Sequence, residues 1–189
     1  MRLYLDTEFT ELSQAASLLS LALVDEQNRS LYLEVKNSPI PQDEWLQNNV
    51  IRHLKWRNTH QESFINLAQT HSEAYVTFNE CAEVITQWLS PYSQGEVWTD
   101  CAVWDWLFFC ELFGGAFHIP KSINYLPLDL VTLLKTKQFN PQEKRDSLIK
   151  TLGLEKQLLK RTQQITPHHA LFDAFQTQVL CEHLLKEAP

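Results

Sequence analysis

No C-x-x-C pair occurs among the four cysteines, Cys81, Cys101, Cys110 and Cys181. The chain therefore has neither a zinc-site spacing nor the pattern of a disulfide framework. Four reduced thiols, mostly buried as small apolar groups, are expected instead. No apolar run reaches the roughly 18 residues that a membrane span needs. The opening MRLYLDTEF soon meets acidic residues and has no signal-peptide core, which points to the cytoplasm. Basic charge is also short: 16 Lys and Arg against 23 Asp and Glu leave a net charge of −7. Proteins that coat duplex nucleic acid are usually basic, so that role is disfavoured. Nuclease chemistry stays open, because bound divalent cations offset clustered carboxylates. Repeats and low-complexity tracts are absent, and 189 residues suit a single domain spanning 1–189.

What is present is enough apolar material for a core: 44% of the chain, with six Trp and ten Phe. Residues 2–6 read as a short strand, and 17–24 (SLLSLALV) as a strand covered on both faces. After a polar turn at 25–29, Leu31, Leu33 and Val35 alternate with Tyr32, Glu34 and Lys36, predicting a half-buried strand over 30–36. Pro39 and Pro41 break regular structure, and 37–70 reads as short helices over the sheet. Thr77 and Glu80 have capping-box spacing ahead of the stripe Val84, Ile85, Trp88 and Leu89. A strand at 96–99, an apolar helix over about 102–113 stopped by Gly114–Gly115, and a last helix over about 168–186 complete the pattern. Such an order points to an α/β fold with a mixed central sheet.

Asp6 and Glu8 share one face at the end of the first strand by its period of two. Two anions so close repel unless a cation lies between them; a solvated strand end is the plain alternative. Asp105 falls in the first turns of its helix and Asp100 is placed as its N-cap, where the helix dipole favours both. Asp173 lies on the stripe of Leu180 and Leu184, so its carboxylate needs a partner: an ion pair or a metal. Oxygen ligands of this kind suit Mg²⁺ or Mn²⁺, and the set can hold two ions for phosphodiester hydrolysis. His168–His169 lies beside Asp173 and could supply a base.

DTEF at 6–9, WTDCAVWDW at 98–106 and HHALFDA at 168–174 resemble, in order and spacing, the three motifs of the DEDDh 3′→5′ exonucleases. Those enzymes form part of the DnaQ-like branch of the ribonuclease H fold. LLSLALVDEQNRSLYLEV at 18–35, the FGGAFHIP segment and the later PLDL are further similar to the small bacterial ribonuclease AS-like exoribonucleases. One departure is Asp100, where many members have Asn; it is not counted as a site residue. The resemblance implies a ribonuclease H-like mixed sheet flanked by helices, three strands antiparallel and then two parallel. It implies that Asp6 bridges two Mg²⁺ (or Mn²⁺) ions, that Glu8 and Asp173 complete the nucleophile side, and that Asp105 holds the second ion largely through water. His168 would be the general base, and Phe9 and Leu12 would contact the terminal nucleotide. Helical geometry instead favours His169, four residues from Asp173; the conflict is resolved by placing Pro167–His168 on a loop or frayed turn. The implied partner is single-stranded nucleic acid with a free 3′ end, RNA preferred. The backbone around Phe9 and Thr10 is a candidate contact for the 2′-hydroxyl.

Arg52, His53, Lys55 and Arg57 around Trp56 could bind phosphates and stack a base, or simply form a solvated face. A DNA exonuclease of the same chemistry and a non-catalytic binding module are the competing readings. Oligomeric state, with a homodimer as one option, stays open.

Overall fold

The computed structural model describes residues 1–189 apart from Asn58, His60, Gln163, Gln164 and residues 187–189. Three antiparallel strands open the chain: β1 (Arg2–Phe9), β2 (Leu18–Asp25) and β3 (Ser30–Val35). β1 is longer than expected, because its pairing with β2 continues to Phe9, past a bulge between Glu8 and Phe9. Both acids of the first motif therefore sit within a strand. The turn into β3 is closed by Asp25, whose Oδ1 accepts the amides of Gln27 and Arg29 at 2.8 Å each.

The stretch 37–70 holds one short helix, α1 (Glu44–Asn49), and a 3-10 turn at Ile51–His53. It also holds a strand that the sequence pattern did not reveal, β4 (Phe64–Asn66), which pairs antiparallel with β5 (His71–Val76). β5 runs parallel to β3 and extends the sheet on that side. α2 (Phe78–Leu89) starts as expected: the Thr77 amide and hydroxyl donate to Glu80 at 2.8 and 2.7 Å. Val84, Ile85, Trp88 and Leu89 are all buried.

β6 (Glu96–Thr99) pairs parallel with β1, and α3 (Ala102–Leu112) follows. Its N-cap is Cys101 rather than Asp100, whose carboxylate is held elsewhere. Gly114 and Gly115 end the helix with φ of 73° and 127°, which glycine adopts without strain. Then come β7 (Leu128–Asp129), parallel to β6, and α4 (Leu130–Thr136), α5 (Arg145–Thr151) and α6 (Glu155–Thr162). The last helix, α7 (Ala170–Lys186), starts two residues later than expected.

The result is one mixed seven-stranded sheet, ordered β4-β5-β3-β2-β1-β6-β7. Leu3 and Leu5 pack on one face with residues of α2 and α3; Tyr4, Ala22 and Tyr32 pack on the other with α7. β3 is buried on both faces, correcting the half-buried expectation. Glu34 tolerates this because the amides of Lys55 and Trp56 and the Tyr32 hydroxyl donate to it. No helix among the described residues is long and apolar enough to cross a membrane.

Candidate active site

Alternation along β1 sends Asp6 and Glu8 toward the α7 side and Thr7 toward α3. β1 and β6 run parallel, so their carboxyl ends lie together, and α3 starts just beyond β6. Ligands commonly bind at that end of open α/β sheets. A cavity of about 540 Å³ opens there, lined by Asp6, Glu8, Phe9, Leu12, Trp45, Cys101, Asp105, His168 and Asp173 among others. Carboxylates are supplied by Asp6, Glu8, Glu11, Asp43, Asp105 and Asp173, and no Lys or Arg among the described residues lines the cavity. All seven residues predicted to form the site lie on its wall.

Within it, ligating atoms of Glu8, His168 and Asp173 fall within 4.8 Å of one another. Neither the Asp6 nor the Glu8 carboxylate accepts a hydrogen bond from any described residue. Burial, then repulsion from Asp105, Asp173, Glu8 and Asp100, holds Asp6 well above the usual carboxylate range. Glu8 is raised by burial and by Asp173 and Asp105. Burial pushes Asp173 up to about 7, against the opposing amide of His168. Burial and mutual repulsion thus disfavour the charged forms of Asp6, Glu8 and Asp173, no Lys or Arg among the described residues lines the cleft to offset them, and oxygen-ligated divalent cations fit that demand.

Asp105 is held differently. Its side chain, 1% exposed, accepts the Thr7 amide at 3.1 Å and the Thr7 hydroxyl at 2.6 Å on Oδ1. The Thr99 hydroxyl and the Cys101 amide occupy Oδ2. Burial still lifts it to about 6 although those four donors favour the charged form. With both oxygens so engaged, direct coordination would require releasing a donor. Thr7 and Thr99 thus fix the Asp105 carboxylate at the wall of the cleft, and the sequence reading named neither. Thr7 was legible in principle, as the middle residue of D-T-E pointing to the opposite face.

The histidine pair divides across the chain. His168 precedes α7 with φ of 63°, so it does not follow helical geometry. Its amide donates to Asp173 Oδ2 at 3.0 Å, and its ring meets the exposed Trp45 edge-on at 5.3 Å between centroids. His169 turns away to lie 4.3 Å from the Tyr32 ring, and its Nδ1 accepts the Leu171 amide. Burial, reinforced by His53, lowers it to about 4. The loop placement of Pro167–His168 is what permits this division.

Phe9 is stacked on Phe108 at 5.0 Å, whereas Leu12 is 71% exposed at the cleft mouth. The Thr10 amide donates to Ser17 at 3.0 Å and is not free for a sugar hydroxyl. Asp100 is clamped by Arg145 of α5 through two bonds of 2.8 and 2.6 Å. Trp56 is buried against Tyr32, Phe64 and Tyr75 and cannot stack a base. Arg57 donates to the Ser38 carbonyl, and Lys55 pairs with Glu73 at 2.8 Å. No family model matches the chain, and no curated protein matches it.

Proposed function

We propose that the protein is a divalent-metal-dependent 3′→5′ exonuclease of the DEDDh type on a ribonuclease H-like sheet, releasing nucleoside 5′-monophosphates from single-stranded RNA. The observation that carries this reading is the meeting of Asp6, Glu8, Asp105 and Asp173 with His168 in one cleft free of Lys and Arg. Support also comes from the sheet, whose run β3-β2-β1-β6-β7 has the three antiparallel and two parallel strands the motif resemblance implies. Preference for RNA rests on the sequence resemblance; a DNA strand suits the same chemistry.

Asp6, Glu8 and Asp173 would hold Mg²⁺ or Mn²⁺, with Asp105 adding charge from its fixed position. The cations, two in the family pattern, would acidify water and offset charge on the phosphodiester. His168, within reach of Glu8 and Asp173, takes a proton from the attacking water. The water oxygen bonds to phosphorus, the bond to the 3′-oxygen of the preceding nucleotide breaks, and that oxygen stays on the shortened strand. Asp173 fixes the backbone of His168 through its amide. Leu12 and Trp45, 71% and 56% exposed, offer apolar surface on which the terminal base can lie.

The test is the polarity of digestion. A 5′-labelled single-stranded oligoribonucleotide with Mg²⁺ should shorten stepwise from its 3′ end, a 3′-phosphate should block it, and a circle should survive. Cleavage of circles at a comparable rate would make the protein an endonuclease. A deoxyribonucleotide strand degraded equally fast would remove the RNA preference and leave the mechanism standing.

A further inference from the structure

Beyond His168 the chain turns, and the next side chain, His169, lines a second cavity of about 360 Å³. This cavity is also lined by Arg52, His53, Lys55 and His71, with Glu73 as its acid. Through His71, Ile165 and Leu171 it joins a third cavity, of about 710 Å³, where Lys160 and Arg161 of α6 line the wall. The two cavities adjoin at these three residues, and together are called the groove below. The His168–His169 segment contributes to both walls, with His168 lining the acid cleft and His169 lining the cavity of about 360 Å³.

The charge of this groove is opposite to that of the cleft. Lys55 is paired with Glu73, and Arg161 with Glu182 at 2.8 Å, but Arg161 Nη1 has no partner among the described residues. Arg52 and Lys160 are exposed, and neither forms an ion pair among the described residues. Arg52 uses Nε on His53 Nε2 at 3.0 Å, and His53 reaches the Thr166 hydroxyl at 3.3 Å. That chain of contacts ties the groove to the segment carrying His168. In a protein of net charge −7 whose cleft has no Lys or Arg, a bound strand must find cations for its further phosphates elsewhere.

We infer that this groove is the track for the phosphates of single-stranded nucleic acid lying 5′ to the bond being cut, with Arg52 and Lys160, exposed and in no ion pair among the described residues, as its cationic contacts. The inference rests on the exonuclease reading for the direction of the strand, not for the binding itself. Because it reads phosphates rather than bases, the track tolerates any sequence and favours strands longer than a dinucleotide.

Binding and hydrolysis test it separately. The affinity of the full chain for a labelled single-stranded oligoribonucleotide of about ten residues is measured by fluorescence anisotropy in chelator, over a range of salt. The Arg52→Ala/Lys160→Ala double variant should bind roughly tenfold more weakly, with a salt slope smaller by about 1.4, that is about 0.7 per lost phosphate contact. The charge-retaining Arg52→Lys/Lys160→Arg variant should recover most of the affinity. In Mg²⁺ the Ala variant should raise KM for the long strand far more than for a dinucleotide, with kcat kept. Melting temperatures of both variants establish that they fold. Equal binding by wild type and the Ala variant, an unchanged salt slope, or no measurable binding by wild type overturns the track. Wild-type protein that binds the strand through these residues but hydrolyses nothing in Mg²⁺ or Mn²⁺ overturns the exonuclease reading instead.

Discussion

Replacing Asp6 by Asn should stabilise the metal-free protein. Asp6 is a strand carboxylate pushed up by burial and by four neighbouring acids, and it accepts no hydrogen bond from a described residue. Asp105 sets the scale: even with four donors it moves from 3.8 to about 6, which at ~1.4 kcal/mol per unit is about 3 kcal/mol of unfavourable charge. A folded-state value raised above the unfolded one gives stability that is present below the unfolded value and lost as pH rises through the folded one. The Asn variant escapes that loss. Its advantage should therefore vanish near pH ~4 and grow toward pH ~8, reaching roughly 5–10 °C in melting temperature for a domain of this size. The wild-type profile alone mixes several effects, because Glu8, Asp105 and Asp173 are raised as well and His169, lowered to about 4, costs stability as pH falls below ~6.5. Subtracting the two melting curves cancels His169. The assay is scanning fluorimetry of both proteins in chelator across that range, repeated with Mg²⁺, which should stabilise wild type and reverse the ranking. An Asn variant that melts lower than wild type at pH ~8 in chelator would refute the argument from repulsion.

His168→Ala should lower kcat by roughly 10²–10⁴-fold, and His169→Ala by far less; the reverse order in steady-state assays would show the motif misaligned by one residue. His169→Phe should retain the contact with Tyr32 and remove the loss of stability between pH ~6.5 and ~4, read from melting curves across that range. Thr7→Val removes the hydroxyl bonded to Asp105 and should cost ~1–2 kcal/mol in denaturant titration, with a fall in kcat. Asp100→Ala leaves Arg145 without its carboxylate and should destabilise by ~1–3 kcal/mol while hydrolysis persists; complete loss of turnover in a folded variant would make Asp100 a site residue.

The parts of the site that were legible in the sequence are those set by local geometry. The period of a strand places Asp6 and Glu8 together, and the helical stripe shared with Leu180 and Leu184 marks Asp173 as a carboxylate in need of a partner. Of the donors to Asp105, Thr99 and Cys101 are sequence neighbours, but the bonds from Thr7 span 98 residues and exist only once β1 and β6 are paired, so the full engagement was not legible. The clamp of Arg145 on Asp100 spans 45 residues in the same way. In the fold, β2 and the α2 cap follow from short patterns. β5 escaped because its first half, His71, Ser72 and Glu73, is polar and leaves only three apolar residues, and β3 supplies the pairing that makes it a strand. β3 looked half-buried because Glu34 is charged; the amides that make its burial tolerable come from Lys55 and Trp56, across the loop that follows.

The central claim is tested most directly by release of nucleoside 5′-monophosphate from a single-stranded oligoribonucleotide, comparing wild type with folded Asp6→Asn in Mg²⁺ and in chelator. Wild type should release monophosphates only with the metal, and Asp6→Asn should release none. Undiminished release by Asp6→Asn, or no release by wild type in either Mg²⁺ or Mn²⁺, would contradict the account.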